Sequence, residues 1–359
     1  MAQRRKSIDQ ANVSSAENAL GLLAALLAHF PERSGAIVRE RYGVNGGMEK
    51  TLEEIGQVHG ITRERVRQIV DVIMKRIKEI MAREHDHPLV RRVVSTVVEH
   101  GGIIATDELL AHLGGGNINE EKALFALLPA FPGLKLAKAT EKHHAIVTTV
   151  EFSMPKWQHT ISLVVAILEA SKEVQSLEEL YSLYAKKHGN ESVSKDVFEA
   201  LLTPSAEIEK NVFGRYGLAD WSMVRPRGTR ERAHLILQVM KKPLHFREIA
   251  RLIDEHGLYK LDKKTHPQTV HNELIKDERF VLVGRGTYAL SDWGYRPGTV
   301  REVLSGILKD NSEPMSREEL LSAVMKVRQV KRSTVIINLN SFFTKVGKNI
   351  YSHTEKKKK

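Results

Sequence analysis

The pattern of apolar and polar positions predicts two short helices joined by a tight turn over residues 51–69. In each half, apolar residues recur three positions apart, as they do on the buried face of a helix. Gly60 separates the halves and can adopt the backbone angles of a turn that other residues adopt only with strain. The second half carries charged and amide side chains on its other face. The pattern therefore predicts a helix-turn-helix whose second helix presents a polar, exposed row.

Threonines mark the predicted start of both helices. Thr51 can cap the first helix, and Glu54, three positions later, completes a capping box. Thr62 can cap the second helix, and its hydroxyl also reaches outward. Because Val66 and Ile69 face inward, the remaining positions form the exposed row, which consists of Arg63, Glu64, Arg67 and Gln68.

The side chains of this row are of the kinds that read base edges in the major groove of duplex DNA. Arginine is matched to guanine, glutamate accepts from the cytosine amino group, and glutamine pairs with adenine. Contacts to phosphates position a protein on DNA without reading its sequence. For such backbone contacts the sequence offers Thr62, Arg65 and Lys75.

Two runs in this region are specific enough to indicate a family. They are Thr-Leu-Glu-Glu-Ile-Gly at 51–56 and Arg-Glu-Arg-Val-Arg-Gln-Ile at 63–69, preceded by Phe-Pro-Glu-Arg at 30–33. With them, residues 15–80 resemble region 4 of the sigma-70 family of bacterial transcription initiation factors. In that family the second helix reads the −35 promoter element. The resemblance implies base contacts from Arg63, Glu64 and Gln68, and backbone or supporting contacts from Arg41, Thr51, Thr62, Arg65 and Arg67.

The sequence departs from the family pattern at two places. His59 stands where the family usually has an apolar residue facing the turn. Val70 stands where it usually has glutamate, and the helix continues with more apolar residues than usual. We expect this continuation to pack against the next domain through Val70, Val72, Ile73, Ile77 and Ile80.

An internal repeat past residue 85 predicts small domains of one kind. Residues 213–221 parallel residues 285–293, with an offset of 72, and an Arg-Pro turn and a Gly-Thr helix start follow each copy. Over 229–293 the pattern predicts three helices and then two strands around Gly-Arg-Gly. That order is typical of a winged helix, and the same plan can be traced in three further segments.

The segment 229–293 has a resemblance of its own. Its runs at 242–250, 265–270 and 280–290 resemble the HARE-HTH domain, a winged helix of restriction systems, chromatin-associated proteins and the delta subunit of bacterial RNA polymerase. The resemblance implies DNA binding or contact with DNA-bound machinery, although such units also pack against neighbouring domains. We expect Val270, Leu274 and Ile275 to be buried. The candidate DNA contacts are Lys260, Lys263, Lys264, Gln268, Thr269, Asn272, Lys276 and Arg285.

Together these patterns predict a mainly α fold with small β-hairpin wings. An N-terminal helix-turn-helix bundle is followed by tandem winged-helix domains. The predicted segments are a basic tail at 1–14, the sigma-like bundle at 15–85, winged-helix units at 86–152, 153–225, 226–295 (HARE-HTH) and 296–353, and a basic tail at 354–359.

Positive charge is distributed unevenly along the chain. The chain of 359 residues has a net charge of +11, with −3 over residues 86–227 and +11 over residues 228–359. The C-terminal third is therefore the part of the chain whose charge most favours binding to a polyanion. The absence of cysteine excludes disulfides, cysteine zinc sites and a thiol nucleophile.

No motif in the sequence indicates catalysis. A phosphate loop is absent, and the histidine pairs lack acidic or cysteine partners at metal-ligand spacing. The sequence therefore predicts a binding protein with no catalytic residue, metal, cofactor or small-molecule substrate. It has no apolar run long enough for a membrane span and no signal peptide, so we expect a cytoplasmic, nucleoid-associated protein.

These observations favour a sequence-selective DNA-binding protein of bacterial transcription, acting as a regulator. Its partners would be double-stranded DNA and, as a further candidate, RNA polymerase. Fewer than 20 residues precede the sigma-like segment, so we expect promoter-element recognition without the core sigma regions. Two alternatives stay open: a delta-like interaction subunit of RNA polymerase, and the specificity component of a DNA-modification or restriction system.

Overall fold

The computed structural model describes residues 17–44, 46–84, 86–188, 193–259, 264–311, 313–328 and 330–355. Within these residues the chain folds as two compact units. The first ends at Glu209 and adds Tyr216–Ala219, and the second comprises Lys210–Arg215 and the residues from Asp220 onward. Both units are mainly helical with small antiparallel sheets. The predicted fold class is confirmed.

From residue 17 onward, the first unit starts with four helices packed as a bundle. Helix α4 packs against α2 and α3, and the pair α3–α4 is the predicted helix-turn-helix. The bounds of the four helices are α1 (Ala19–Leu27), α2 (Glu32–Arg41), α3 (Leu52–His59) and α4 (Arg63–Met81).

A winged-helix unit follows the bundle. Its three strands form an antiparallel sheet in the order β1-β3-β2, so the strand before the second helix pairs with the hairpin. Ile103 lies opposite Thr148, and Leu134 lies opposite Thr149. The elements are α5 (Pro88–Glu99), β1 (Ile103–Ala105), α6 (Thr106–Gly114), α7 (Ile118–Leu127), a 3-10 turn (Leu128–Ala130), β2 (Leu134–Ala137) and β3 (Ile146–Thr149).

The bundle and this winged-helix unit share one hydrophobic core. Helix α4 packs on the 3-10 turn of the winged-helix unit, and α1 packs on α7. The expectation that the apolar continuation of α4 packs against the next domain is confirmed, because four of its five residues are buried in the common core: Val70, Ile73, Ile77 and Ile80. It is wrong for Val72, which is 66% exposed.

Polar contacts also hold α7 against the bundle. The buried carboxylate of Glu120 accepts hydrogen bonds from the backbone amides of Ala19 and Leu20, at the start of α1. The ammonium of Lys122 donates to the carbonyl of Gly47 at 2.7 Å. Since α7 is the third helix of its winged-helix unit, intramolecular contacts occupy the helix that would otherwise be the candidate for a DNA groove.

The next winged-helix unit docks on the previous one. The amide of His144 donates to the carbonyl of Pro204 at 3.0 Å, and the amide of Ala206 donates to that of Lys142 at 2.9 Å. These bonds engage the loop between β2 and β3, which is the wing of the preceding unit. The elements of this unit are α8 (Met154–Ser171), α9 (Leu177–His188), α10 (Lys195–Leu202), β4 (Ile208–Lys210) and β5 (Tyr216–Leu218).

The second compact unit repeats the plan twice, each time with a three-stranded antiparallel sheet. The first copy contains α11 (Thr229–Met240), β6 (Leu244–His245), α12 (Phe246–Glu255), α13 (Pro267–Lys276), β7 (Phe280–Gly284) and β8 (Thr287–Leu290). The second copy contains α14 (Val300–Asp310), β9 (Met315–Ser316), α15 (Arg317–Val327), α16 (Arg332–Phe342), β10 (Phe343–Gly347) and β11 (Ile350–Glu355).

The two copies are linked through Arg328. This side chain is buried, and its Nη1 donates to the carbonyl of Leu282 on β7 at 3.3 Å. The amide of Arg296 also donates to the carbonyl of Val327 at 3.2 Å. The hydrogen bond from Arg328 therefore holds the hairpin of the first copy against the second copy.

The stability of the second unit is expected to fall as the pH drops below about 6.5. Burial, and then the nearby Arg279, lower the pKa of His234 from its ordinary value of 6.5. The folded state therefore resists a proton that the unfolded chain takes up, so His234 costs no stability above pH 6.5 and destabilises progressively below it. Urea denaturation between pH 7.5 and about 5.5 measures this. The dependence should weaken in His234→Phe and persist in His353→Gln, which changes an exposed side chain; an unchanged profile in His234→Phe would contradict the assignment.

Candidate nucleic-acid interface

The turn between α3 and α4 is built on two glycines. Gly60 ends α3 with φ of 64° and ψ of 39°, in the left-handed region that glycine adopts without strain. A Cβ atom on Gly56 would lie 2.7 Å from the carbonyl oxygen of Ile61. Glycine at that position therefore lets the turn lie directly against α3, which fixes where α4 begins.

Helix α4 starts with a capped turn and presents the predicted base-reading row to solvent. The hydroxyl of Thr62 accepts a hydrogen bond from the amide of Arg65 at 3.2 Å. Val66 is fully buried and anchors the inner face of the first two turns. All four predicted base-reading side chains are exposed on those turns: Arg63, Glu64, Arg67 and Gln68.

Within this row, Arg67 is paired with two carboxylates. Its Nε and Nη2 donate to the two oxygens of Glu64 at 3.0 and 2.6 Å, and its Nη1 donates to Asp71 at 2.6 Å. The hydrogen bonds from Arg67 hold the pKa of Glu64 below its ordinary value. Glu64 is therefore an ionised acceptor at neutral pH, and the guanidinium of Arg67 fixes its orientation.

A second contact within the row involves Gln68. Nη1 of Arg65 donates to its Oε1 at 3.3 Å. Besides the hydrogen bond from Arg67, a side-chain hydrogen bond from Gln68 lowers the pKa of Glu64. Arg63, the first residue of α4, is exposed, and none of the hydrogen bonds described for the structure involves its guanidinium. The row thus combines one oriented carboxylate, one amide and one exposed guanidinium within two helical turns.

The residues predicted to contact the DNA backbone differ in their surroundings. The hydroxyl of Thr51 accepts from the amide of Glu54 at 3.2 Å, and the amide of Thr51 donates to the Glu54 carboxylate at 2.7 Å, which completes the predicted capping box. Arg41 is half-buried, and its Nη1 donates to the carbonyl of Lys50 at 2.9 Å. Lys75 is exposed further along α4. Capping and loop closure thus already occupy Thr51 and Arg41, whereas Lys75 faces solvent.

His59, at the end of α3, forms part of a polar cluster under the turn. Its Nε2 lies 3.1 Å from the Glu40 carboxylate, which also accepts from Lys50 at 3.0 Å. Burial alone would raise the pKa of Glu40, but the hydrogen bonds from Lys50 and His59 outweigh it and lower the pKa. A histidine therefore replaces the apolar contact usual in the family with a side-chain hydrogen bond that links α3 to α2.

Four of the candidate contacts in the HARE-HTH segment lie on α13, which runs from Pro267 to Lys276. Lys260 and Lys263 lie outside the described residues. Ile275 was expected to be buried, and this is wrong, because it lies about 100° around α13 from Leu274 and is 63% exposed. Val270 and Leu274 are buried as expected. The other candidate contacts are exposed: Lys264, Gln268, Thr269, Asn272, Lys276 and Arg285.

Three of these exposed side chains have partners on α13. Gln268 donates to Asn272 at 3.2 Å, and Lys276 lies 3.5 Å from Glu273. Glu273 also accepts from Arg230. Acidic partners therefore offset part of the positive charge on this helix.

Sequence reasoning missed Asp71 as a member of the row on α4. Its spacing of four residues from Arg67 was a usable signal, because side chains at i and i+4 are neighbours on a helix. Within the described ranges, no three His, Asp or Glu side chains are grouped closely enough to hold a metal ion. Every described helix is too short or too polar to cross a membrane.

Comparison with known protein families identifies two segments. The family described as "Sigma-70, region 4" matches residues 26–79. The HARE-HTH family, whose description includes "restriction endonuclease HTH domain", matches residues 228–293. The first match contains the whole of α3 and nearly all of α4, and the second contains α11 through β8.

Among curated proteins, the chain is similar to the RNA polymerase principal sigma factor HrdD of several Streptomyces species. The proteins of Streptomyces viridifaciens and Streptomyces coelicolor are 36% identical over 77 residues, which is 20% of this chain and 23% of each relative. That of Streptomyces griseus is 41% identical over 66 residues, or 17% of this chain and 20% of the relative. The chain thus spans less than a quarter of their length. The resemblances to sigma-70 region 4 and to the HARE-HTH domain are confirmed for their two segments.

Proposed function

We propose that the protein binds duplex DNA selectively and acts in bacterial transcription, with α4 reading bases in the major groove. The observation that carries this proposal is the exposed row on the first two turns of α4. The cap at Thr62 and the buried Val66 fix the position of these turns. A helix of this kind fits the major groove, where its N-terminal residues meet base edges. The proposal assigns the chain binding rather than catalysis, and a chromosomal ligand implies a nucleoid-associated protein of the cytoplasm.

Each member of the row has a distinct proposed role. Arg63 pairs with guanine, Gln68 pairs with adenine, and Glu64 accepts from the cytosine amino group. Arg67 orients Glu64 through the two hydrogen bonds between them, and releasing Asp71 would free one of its nitrogens for a phosphate. Backbone contacts are proposed for Thr62, Arg65 and Lys75, with Arg41 and Thr51 shaping the surface behind them.

Selection of bound sequences from a pool of random duplexes tests this proposal. The full chain is expected to enrich a short motif, because each bidentate base contact discriminates by about 1–3 kcal/mol. The variant Arg63→Ala should enrich a motif that has lost information at one position. The variant Arg83→Ala, which removes an exposed arginine beyond the end of α4, should enrich the same motif as the original chain. An unchanged random pool after selection with the original chain would contradict base reading.

Association with RNA polymerase is the second candidate function. It is favoured by the likeness to proteins named RNA polymerase principal sigma factors. Polymerase subunits that co-purify with the full chain after nuclease digestion would support it, and their absence would count against it. The restriction-system alternative draws on the description of the second matched family, and a nuclease or methyltransferase among the co-purifying proteins would favour it.

A further inference from the structure

The last winged-helix unit carries a basic surface within a stretch of sequence that has no acidic residue. Residues 320–353 contain six Lys or Arg and no Asp or Glu. Most of this stretch forms α16 and the hairpin of β10 and β11. Four of its basic side chains lie at the start of α16 or on the hairpin, and all four are exposed: Lys331, Arg332, Lys345 and Lys348. These four residues are called the C-terminal basic surface.

The third helices of the other winged-helix units offer less to a polyanion. Helix α7 is held against the N-terminal bundle by Glu120 and Lys122. Helix α10 lies against the preceding unit, where a Cβ on Gly101 would come within 2.8 Å of Val197. Helix α13 and its hairpin, residues 267–290, carry three basic and three acidic residues. Of the four third helices, α16 therefore has both an outward face and a net positive neighbourhood, because residues 331–355 carry four basic residues and one acidic residue, Glu355.

The outward face of α16 carries no charge and consists of hydroxyl, amide and apolar side chains. Val335 and Leu339 fix the opposite face in the core of the unit. The B-DNA major groove admits an α-helix, and serine and threonine bond to bases or phosphates while apolar groups contact the thymine methyl. The exposed residues of this face are Ser333, Thr334, Ile337, Asn340 and Ser341.

The basic side chains flank this face instead of covering it. Lys331 stands at the start of the helix, and Lys345 and Lys348 lie on the hairpin. Nη2 of Arg332 donates to the Glu318 carboxylate at 2.7 Å. Because this carboxylate offsets the charge of Arg332, the three lysines are the main positive charges of the surface. Phosphates line both edges of a DNA groove, so charges beside an uncharged helix suit a duplex better than they suit an acidic peptide lying along the helix.

We infer that residues 296–353 form a second duplex-DNA contact, in which α16 enters a groove and Lys331, Lys345 and Lys348 bind phosphates. The inference rests on the proposed function in taking duplex DNA as the ligand, but it does not require base reading by α4. Binding at this unit is largely independent of sequence. It supplies affinity, while the row on α4 supplies selectivity.

The salt dependence of binding tests the three lysines. The measurements use the full chain with Arg63→Ala and Gln68→Ala already present, so that base reading by α4 contributes little. Replacing Lys331, Lys345 and Lys348 by Gln should reduce the slope of log affinity against log salt by about 2.7, at about 0.9 per lost phosphate contact. The matched control replaces Lys172, Lys186 and Lys187 by Gln, three exposed lysines for which no DNA contact is proposed, and it should change the slope less. A slope that is unchanged, or changed more by the control, would overturn the inference.

A single substitution separates binding from folding. Ser333→Glu places a carboxylate in the first turn of α16, where the helix dipole favours it, so the midpoint of thermal unfolding should hold or rise. The same carboxylate faces the proposed groove, so affinity for a random duplex should fall by about tenfold through repulsion by phosphates. Ser322→Glu, on the exposed side of α15, should leave the affinity unchanged. Equal affinities for the two variants would overturn the inference and would leave the sequence motif selected by α4 unaffected.

Discussion

Replacing Ile77 by alanine is expected to lower the free energy of unfolding of the first compact unit by about 2–5 kcal/mol. Ile77 is fully buried on α4, in the core that the N-terminal bundle shares with the first winged-helix unit. Alanine removes apolar contacts and leaves a cavity that the surrounding helices refill only in part. Because residues of both parts line this core, the bundle and the winged-helix unit should lose stability together.

Denaturant titration followed by far-ultraviolet circular dichroism measures this effect. The matched control is Val72→Ala on the same helix, where the side chain is exposed, and it should change stability by less than about 0.5 kcal/mol. In Ile77→Ala, residues 19–149 should still unfold in a single transition, and its midpoint should move to a lower denaturant concentration than in the original chain. A bundle that melts separately from the winged-helix unit would contradict the shared core.

Replacing Arg63, Glu64 and Gln68 together by alanine is expected to bring the affinity for the selected duplex down to that for a random duplex. Each base contact of this kind contributes about 1–3 kcal/mol, so the three together account for about 3–9 kcal/mol. Affinity for random duplex should change much less, because phosphate contacts supply most of non-specific binding. Fluorescence anisotropy with both duplexes at one fixed salt concentration gives the ratio directly.

The control for this triple variant is an ion pair further along the same helix. Arg76 and Glu79 lie 2.7 Å apart and are both about half exposed. Replacing both by alanine removes charged side chains from α4 without touching the row on its first turns. The ratio of specific to random affinity should stay close to that of the original chain, and an equal collapse of the ratio in both variants would contradict the proposed row.

Local signals in the sequence predicted most of the elements that form the candidate site. The capping box of Thr51 and Glu54, the left-handed Gly60 and the buried Val66 each depend on residues within a few positions. Short-range rules therefore sufficed to place the row on the outer face of α4. The hairpin of the HARE-HTH segment was likewise predictable from its alternating pattern around Gly286.

Long-range contacts were beyond such rules. Glu120 caps α1 from about 100 residues away, and no local pattern connects it to Leu20. The apolar character of a side chain also did not predict whether it is buried, since Val72 and Ile275 both face solvent. Which faces are covered depends on how the units dock. The sequence therefore could not show that α7 is covered by the N-terminal bundle while the outward face of α16 is exposed.

The most direct test of base reading combines one substitution with a scan of the DNA. Affinities of the original chain and of Gln68→Ala are measured for the selected duplex and for each of its single base-pair replacements. The account predicts that the variant loses discrimination at one base pair, by about 1–3 kcal/mol, and keeps it at the others. An equal loss at every position, or no change at any, would contradict the claim that α4 reads bases.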